Sequence, residues 1–372
     1  MFSIFTSLFI LAHVCVSTAQ DCASDSYACE TVQKIVLARH RNHGAPSPID
    51  FRIDNVERPV ACKDGEAVVK LLYLSADPYM RGRMKESNAS YRAAFRVDEA
   101  ISGYVVAEVL ISRSPSVAVG DVYSAFLPYV TIQVIDIGAT RMWKVPASVP
   151  KEHYSYGIGA LGMPGLTAYF GLLEILHPIA GQSLYVNGAA GAVGSLVGQI
   201  AKLKGCRVVG SAGGAEKCFK VMTYGFDACI DYKITNTAET LRVALVDAVG
   251  TIDMYFENVG GMQFDAVFPV LATNSRVAVC GAIDTYNAEV PPLNAINLRD
   301  MIWKGIKIEG FLVTKWISQP SLLKKGLEEM ATWVSEGRLI VEETVLDGIG
   351  SFGEAMAGLF TGANTGKMVV RV

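Results

Sequence analysis

Apolar and polar positions alternate over Ala67-Val68-Val69-Lys70-Leu71-Leu72-Tyr73-Leu74 and again over Gly103-Tyr104-Val105-Val106-Ala107-Glu108-Val109. Each run predicts a β-strand of roughly five to seven residues. Gly120-Asp121 reads as a turn that launches a further strand over Val122–Phe126. No long helical pattern interrupts this stretch, so the first half predicts a compact, mostly antiparallel, β-rich lobe. The pattern changes near Leu161. From Gln182 onward, short apolar strands alternate with helical stretches, the strands being expected at Ser183–Val186, Cys206–Gly210, Ala228–Ile230, Ile252–Phe256, Arg276–Cys280 and Ile306–Leu312. Strands at this spacing with helices between them predict a parallel, doubly wound sheet.

Two helices are well marked. Val193, Leu196, Val197, Ile200 and Leu203 form one apolar stripe directly after the first of these strands. A second helix is expected from Ser321 to Glu336, behind Pro320 and stopped by Gly337. The tail Lys367-Met368-Val369-Val370-Arg371-Val372 alternates again and is expected to return to the β-rich lobe. The fold class is therefore α/β, with a β-rich lobe over 20–160, a doubly wound lobe over 161–342, and 343–372 rejoining the first.

Residues 1–19 stand apart. Phe2 to Val16 is almost continuously apolar, the length of a signal-peptide core and short for a membrane span. Ser17-Thr18-Ala19 supplies small residues for cleavage after Ala19, although no Lys or Arg precedes the apolar run. The leader predicts a secreted protein with no stable membrane insertion of the mature chain, the alternative being a cytoplasmic one. Cys22 and Cys29 follow the cleavage site closely and could pair in an oxidising compartment. Cys62, Cys206, Cys218, Cys229 and Cys280 fall singly in apparent strands and helices and read as small core residues.

An apolar fraction of 51% and a charged fraction of 19% fit a well-buried globular enzyme. With 33 basic and 36 acidic residues in no long runs, there is no basic stripe for a nucleic acid to use. The sequence also lacks the close His and Cys spacings of a zinc site and the G-x-S-x-G of a hydrolase elbow. No metal is expected.

Gly188-Ala189-Ala190-Gly191-Ala192-Val193-Gly194 joins the first strand of the doubly wound half to the amphipathic helix. Small residues let the backbone approach a pyrophosphate, and the helix start offers unpaired N–H groups and a positive dipole end. Its spacing is G-x-x-G-x-x-G rather than the usual G-x-G-x-x-G. An NAD site commonly carries an acid at the end of the second strand, to accept from the ribose 2′-hydroxyl. Here that place holds Gly210-Ser211-Ala212-Gly213-Gly214, with Lys217 and Tyr232 in reach of a 2′-phosphate. NADPH is expected.

Leu161-Gly162-Met163-Pro164-Gly165-Leu166-Thr167-Ala168-Tyr169-Phe170-Gly171-Leu172, followed by Asn187 and the glycine-rich turn, resembles the prostaglandin reductase and leukotriene B4 12-hydroxydehydrogenase family of zinc-free medium-chain dehydrogenases/reductases. Ser75-Ala76-Asp77-Pro78-Tyr79-Met80-Arg81-Gly82, Gly213–Lys217, Phe256–Gly261, Cys280–Ile283 and Gly366-Lys367 extend the likeness over about Val32 to Val372. The resemblance implies a GroES-like lobe, a Rossmann lobe, a homodimer, and NADPH-dependent reduction of the C=C bond of enones and alkenals. It also implies residue roles. Lys217 and Tyr232 match the 2′-phosphate binders, and Asn258 and Asn364 match contacts to the cofactor. Tyr286 matches the tyrosine beside the substrate carbonyl, while Asp77, Tyr79, Met80 and Arg81 would line the substrate cleft. Glu257 stands where relatives often have Asp, and nothing like the leader belongs to the family. A quinone reductase of the same superfamily and a secreted, non-catalytic NADPH-binding protein are the alternative readings.

Overall fold

The structure is a computed structural model and describes residues 31–372 apart from 60, 61, 88, 89, 291 and 295. The leader, Cys22 and Cys29 lie outside the described residues. The first lobe is built from β1 (Val32–Leu37), β2 (Phe51–Val56), β3 (Glu66–Ser75), the short α1 (Met80–Arg83), β4 (Ser102–Ser112), β5 (Val122–Pro128), β6 (Ile132–Asp136) and β7 (Met142–Lys144). The second contains α2 (Met163–Phe170), β8 (Ser183–Val186), α3 (Gly194–Leu203), β9 (Arg207–Ala212), α4 (Ala215–Thr223), β10 (Ala228–Asp231), α5 (Ala238–Val249) and β11 (Ile252–Glu257). It continues through α6 (Gly261–Val267), β12 (Leu271–Val279), α7 (Leu298–Lys304), β13 (Lys307–Gly310), α8 (Thr314–Ile317) and α9 (Pro320–Ser335). The chain closes with β14 (Glu343–Asp347), α10 (Phe352–Thr361) and β15 (Lys367–Arg371).

The second lobe is a parallel sheet in the order β10-β9-β8-β11-β12-β13. Its strand order reverses between β8 and β11, the crevice where doubly wound sheets bind ligands. The first lobe is a seven-stranded sheet in which β15 pairs in parallel with β14 and antiparallel with β3. The alternating tail thus completes the β-rich lobe. β8 has the expected bounds, while most other strands run one to several residues past the expected ones at one end or both, most of all β12, which starts at Leu271 rather than Arg276. The strand expected at Ile306–Leu312 is shorter, Lys307–Gly310, because it ends where pairing to β12 stops.

One apolar core bridges the lobes. Tyr104, Val106 and Trp143 from the first pack with Leu166, Phe170 and Trp316 from the second, and Phe170 stacks on Trp316 at 5.4 Å. Trp143 Nε1 donates to the Leu161 carbonyl at 3.2 Å. A shared core of this kind holds two lobes in one relation better than a polar seam does.

Cys218 and Cys229 depart from the expectation of isolated core thiols. They form a disulfide between α4 and β10, with Cα atoms 5.3 Å apart. Periodicity places each cysteine on an inward face but says nothing of the helix folding back onto the strand. Among the described residues no single helix is long and apolar enough to cross a membrane; one bent pair, Lys151–Ile158 with Met163–Leu176, passes only in combination. Most of that pair is buried in the core.

Candidate active site

A cavity of about 570 Å³ opens between the lobes at the carboxyl ends of the parallel strands. Its floor is the β8–α3 turn. Gly188 has φ +59°, a left-handed conformation that favours glycine. A Cβ on Gly194 would lie 2.4 Å from the Gly188 carbonyl oxygen, so only glycine permits the helix to start this close to the strand. Gly188, Ala190, Gly191, Ala192, Val193 and Gly194 line the cavity. Ala189, expected with them, does not: it is fully buried and its N–H donates to the Ser211 carbonyl on β9. It packs the turn against the sheet instead of facing a ligand.

The turn is also tied to the end of the chain. Gly366 N–H donates to the Ala190 carbonyl at 2.7 Å, and Gly191 and Gly366 form a parallel bridge. Asn364 lines the cavity beside them, its side-chain amide donating to the Gly366 carbonyl at 2.8 Å.

At the end of β9, Ala212 and Gly213 offer no acid, and Lys217 and Tyr232 both line the cavity. A Cβ on Gly213 would fall 2.5 Å from the Tyr232 hydroxyl, so the glycine makes room for the phenol. Lys217 Nζ donates to the Gly362 carbonyl at 2.7 Å. Burial and neighbouring Lys233 lower its pKa, with Glu216 acting the other way. The glycine floor, the helix start and this ammonium, which makes no ion pair among the described residues, fit a dinucleotide carrying a 2′-phosphate.

Glu257 anchors the opposite wall. It is buried at the end of β11 and accepts from Asn187 Nδ2 at 2.6 Å, from the Val259 and Gly260 amides at 2.5 and 2.8 Å, and from the Tyr255 hydroxyl. These bonds hold the turn that presents Asn258, whose own amide groups bond Asn187. A buried carboxylate without a cation is tolerable only with such a full set of donors.

Tyr286 lines the same end of the cavity. Its hydroxyl accepts from the Ala282 N–H at 3.2 Å, and among the described residues it donates to nothing. Burial raises its pKa, the Ala282 bond acts against this, and Cys280 and Glu257 add to it. The Cys280 thiol, also in the wall, is pushed up to about 12 by burial and by Glu257.

From the first lobe, Asp77 and Tyr79 reach the cavity, and Met80 and Arg81 do not. Met80 is buried in the core of the β-rich lobe. Arg81 is fully buried, donating to the Gly44 and Arg41 carbonyls and to Asn287 Oδ1. It fastens two loops together. The single turn of α1 explains the split, because it rotates successive side chains away from the cleft that Tyr79 faces. Among the described residues the buried Tyr79 hydroxyl has no hydrogen-bond partner.

Sequence reasoning missed Tyr91, Arg92, Tyr104 and Lys367 in the wall. Lys367 is almost wholly buried and pairs with Asp77 at 3.3 Å, both side chains being 4% exposed. Its Nζ also donates to the Ala76 and Met368 carbonyls. The alternating tail hid it, since a lysine on such a strand reads as solvent-facing. No cluster of three His, Cys, Asp or Glu side chains gathers as a metal site among the described residues.

Residues 33–143 match the family described as "N-terminal domain of oxidoreductase", and residues 192–332 that described as "Zinc-binding dehydrogenase". The chain is 38% identical to prostaglandin reductase 1 of Sus scrofa, over 88% of this chain and 95% of that one. It is 39% identical to the NADP(+)-dependent 2-alkenal reductase of Nicotiana tabacum, over 92% and 98%. The crystal structure of CurA from Vibrio vulnificus in complex with NADPH superposes with a TM-score of 0.82 at 38% identity, covering 91% and 99%. The chain therefore belongs to the zinc-free medium-chain dehydrogenase/reductase family, alongside the prostaglandin and alkenal reductases.

Proposed function

We propose that the protein is an NADPH-dependent reductase of the C=C bond of α,β-unsaturated ketones and aldehydes, the chemistry that its relatives' names describe. The observation that carries the reading is the Tyr286 hydroxyl, held in the cavity wall with a proton it gives to no protein group among the described residues. NADPH, when bound, supplies the hydride for the β-carbon. The glycine turn and the start of α3 hold the pyrophosphate, Lys217 and Tyr232 the 2′-phosphate, and Asn258 and Asn364 the remainder of the dinucleotide. Residues 161–342 are read as the coenzyme lobe, and the described residues of 20–160, with 343–372, as the substrate lobe.

Negative charge builds on the substrate's carbonyl oxygen as its β-carbon is reduced. Tyr286 Oη donates to that oxygen, a contact stronger in the transition state than in the ground state. Tyr286 or a water then returns the α-proton. Asp77 and Tyr79 shape the substrate end. NADPH oxidation measured over a panel of enones and alkenals tests this, with a quinone alongside; turnover of the quinone alone overturns it.

We also infer a homodimer formed through α7 and β13. Leu298, Ile302 and Trp303 are 68%, 76% and 66% exposed beside the open edge strand of the parallel sheet. An apolar patch next to an unpaired edge favours burial against a second copy. A monomeric mass by light scattering sinks the assignment. Secretion is favoured by the Cys218–Cys229 bond, since disulfides are rare in the cytosol. N-terminal sequencing of the natural protein is expected to start at Gln20, and an intact leader excludes it.

A further inference from the structure

The disulfide lies next to the residues assigned above to the 2′-phosphate. Cys218 follows Lys217 on α4, and Cys229 lies on β10, three residues before Tyr232. The cross-link therefore joins the helix that carries one of these residues to the strand that leads into the other.

α4 has few other anchors. Val221 is the one fully buried residue among its nine. Lys220 makes a half-exposed ion pair with Glu342 at 3.2 Å, and such a pair contributes little. At the start of the helix, Gly214 N–H donates to Asp231 Oδ1 at 2.8 Å. β10 is itself an edge strand, hydrogen-bonded only to β9. A short helix with one buried side chain, packed on an edge strand, is the kind of element that opens locally at low free energy. The disulfide closes that route, because α4 and β10 cannot separate while it is intact.

We propose that the Cys218–Cys229 pair is a redox-sensitive positioning element that sets the affinity for NADPH over NADH by fixing Lys217 and Tyr232 relative to one another. This rests on the reading of those two residues as the 2′-phosphate site. Reduction by a dithiol breaks the one S–S bond and forms two thiols; the two electrons and two protons come from the dithiol, which leaves as its own disulfide. In the reduced protein Lys217 is in place only part of the time, and apparent affinity falls by that fraction. NADH has no 2′-phosphate and is spared. Both cysteines are half-buried, packed against the margin of the core and not enclosed by it, which leaves a small dithiol a route to the bond.

The test uses the full chain, with and without dithiothreitol, the thiols of Cys218 and Cys229 being counted by alkylation and mass spectrometry. On reduction, KM for NADPH is expected to rise on the order of threefold, while KM for NADH and kcat at saturating NADPH hold. A Cys218→Ser/Cys229→Ser variant should show the raised KM without reductant and not respond to it. An unchanged NADPH-to-NADH KM ratio in protein with both thiols freed overturns the proposal. So does finding both thiols free in protein isolated without reductant. Lys217→Ala separates the two readings. If that variant leaves the ratio alone, the 2′-phosphate assignment falls; if it shifts the ratio while reduction does not, the cross-link's role alone falls.

Discussion

The Tyr286 hydroxyl accepts the Ala282 N–H at 3.2 Å, which occupies a lone pair and leaves the phenolic proton for the cavity. Tyr286→Phe removes that proton and little volume. We expect kcat/KM for an enone to fall by about 10²-fold, the usual cost of losing one preorganised oxyanion donor. NADPH binding, followed by fluorescence, should be unaltered. A variant with wild-type kcat/KM removes Tyr286 from the mechanism.

The same residue is expected to set the alkaline limb of the reaction. Its pKa is raised above 10.0, chiefly by burial. Only the protonated phenol donates, so the active form is the one that burial favours. A profile of kcat/KM against pH is expected to place the loss from this group at a higher pH than an ordinary tyrosine would. An alkaline limb centred near pH 8 points to a different proton donor.

Gly194→Ala tests the floor of the cavity. The added methyl meets the Gly188 carbonyl at 2.4 Å and the Ala189 Cα at 3.0 Å, both backbone atoms that cannot swing aside. The start of α3 must back away from β8, and the N–H groups aimed at the pyrophosphate move with it. NADPH titration should show affinity reduced at least about tenfold, equivalent to roughly 1.4 kcal/mol. Unchanged affinity means that the turn does not touch the dinucleotide.

Lys367→Met leaves the Asp77 carboxylate buried beside an apolar chain. Breaking a buried pair from one side typically costs about 3–5 kcal/mol, and a comparable loss is expected in urea denaturation. The Asp77→Asn/Lys367→Met double variant should recover most of it, because no buried charge then remains unpaired. If the single variant is as stable as wild type, the pair is solvated in solution.

Asp50 offers a test at acid pH. Its burial would raise the pKa, but bonds from Arg41, Arg39 and the Ser47 amide together bring it below 3.8. A depressed carboxylate stabilises the fold above its unfolded pKa and loses that contribution as pH falls through the folded value. Asp50→Asn should therefore lower Tm at pH 7, and the difference from wild type should shrink towards pH 3. A gap independent of pH assigns the effect to packing alone.

Much of the fold was legible before any coordinates, because period and turn chemistry are local. The six parallel strands, the α3 stripe and the returning tail all follow from spacing. The glycine turn was legible for the same reason, although its inward member Ala189 was not: which small residue faces a ligand depends on the register with β9. Met80 and Arg81 misled because a motif names a stretch of chain, and only one turn of helix decides which of its side chains reach the cleft. Lys367 and the Cys218–Cys229 bond were hidden by their distance from their partners along the chain or by a fold-back that periodicity does not encode. Arg92 and Tyr104 carry no motif at all.

The bond from Gly366 to Ala190 has a consequence for how the protein is made. The dinucleotide turn is made well before the strand that closes over it, because Ala190 precedes Gly366 by the whole of the parallel sheet. Domains ordinarily fold in order of synthesis; here the β-rich sheet, begun by β3, also waits for β15 to fill the place between β3 and β14. A nascent chain halted before Lys367 has an open sheet in one lobe and an unroofed turn in the other. Termination before Lys367 is therefore expected to remove coenzyme binding along with stability.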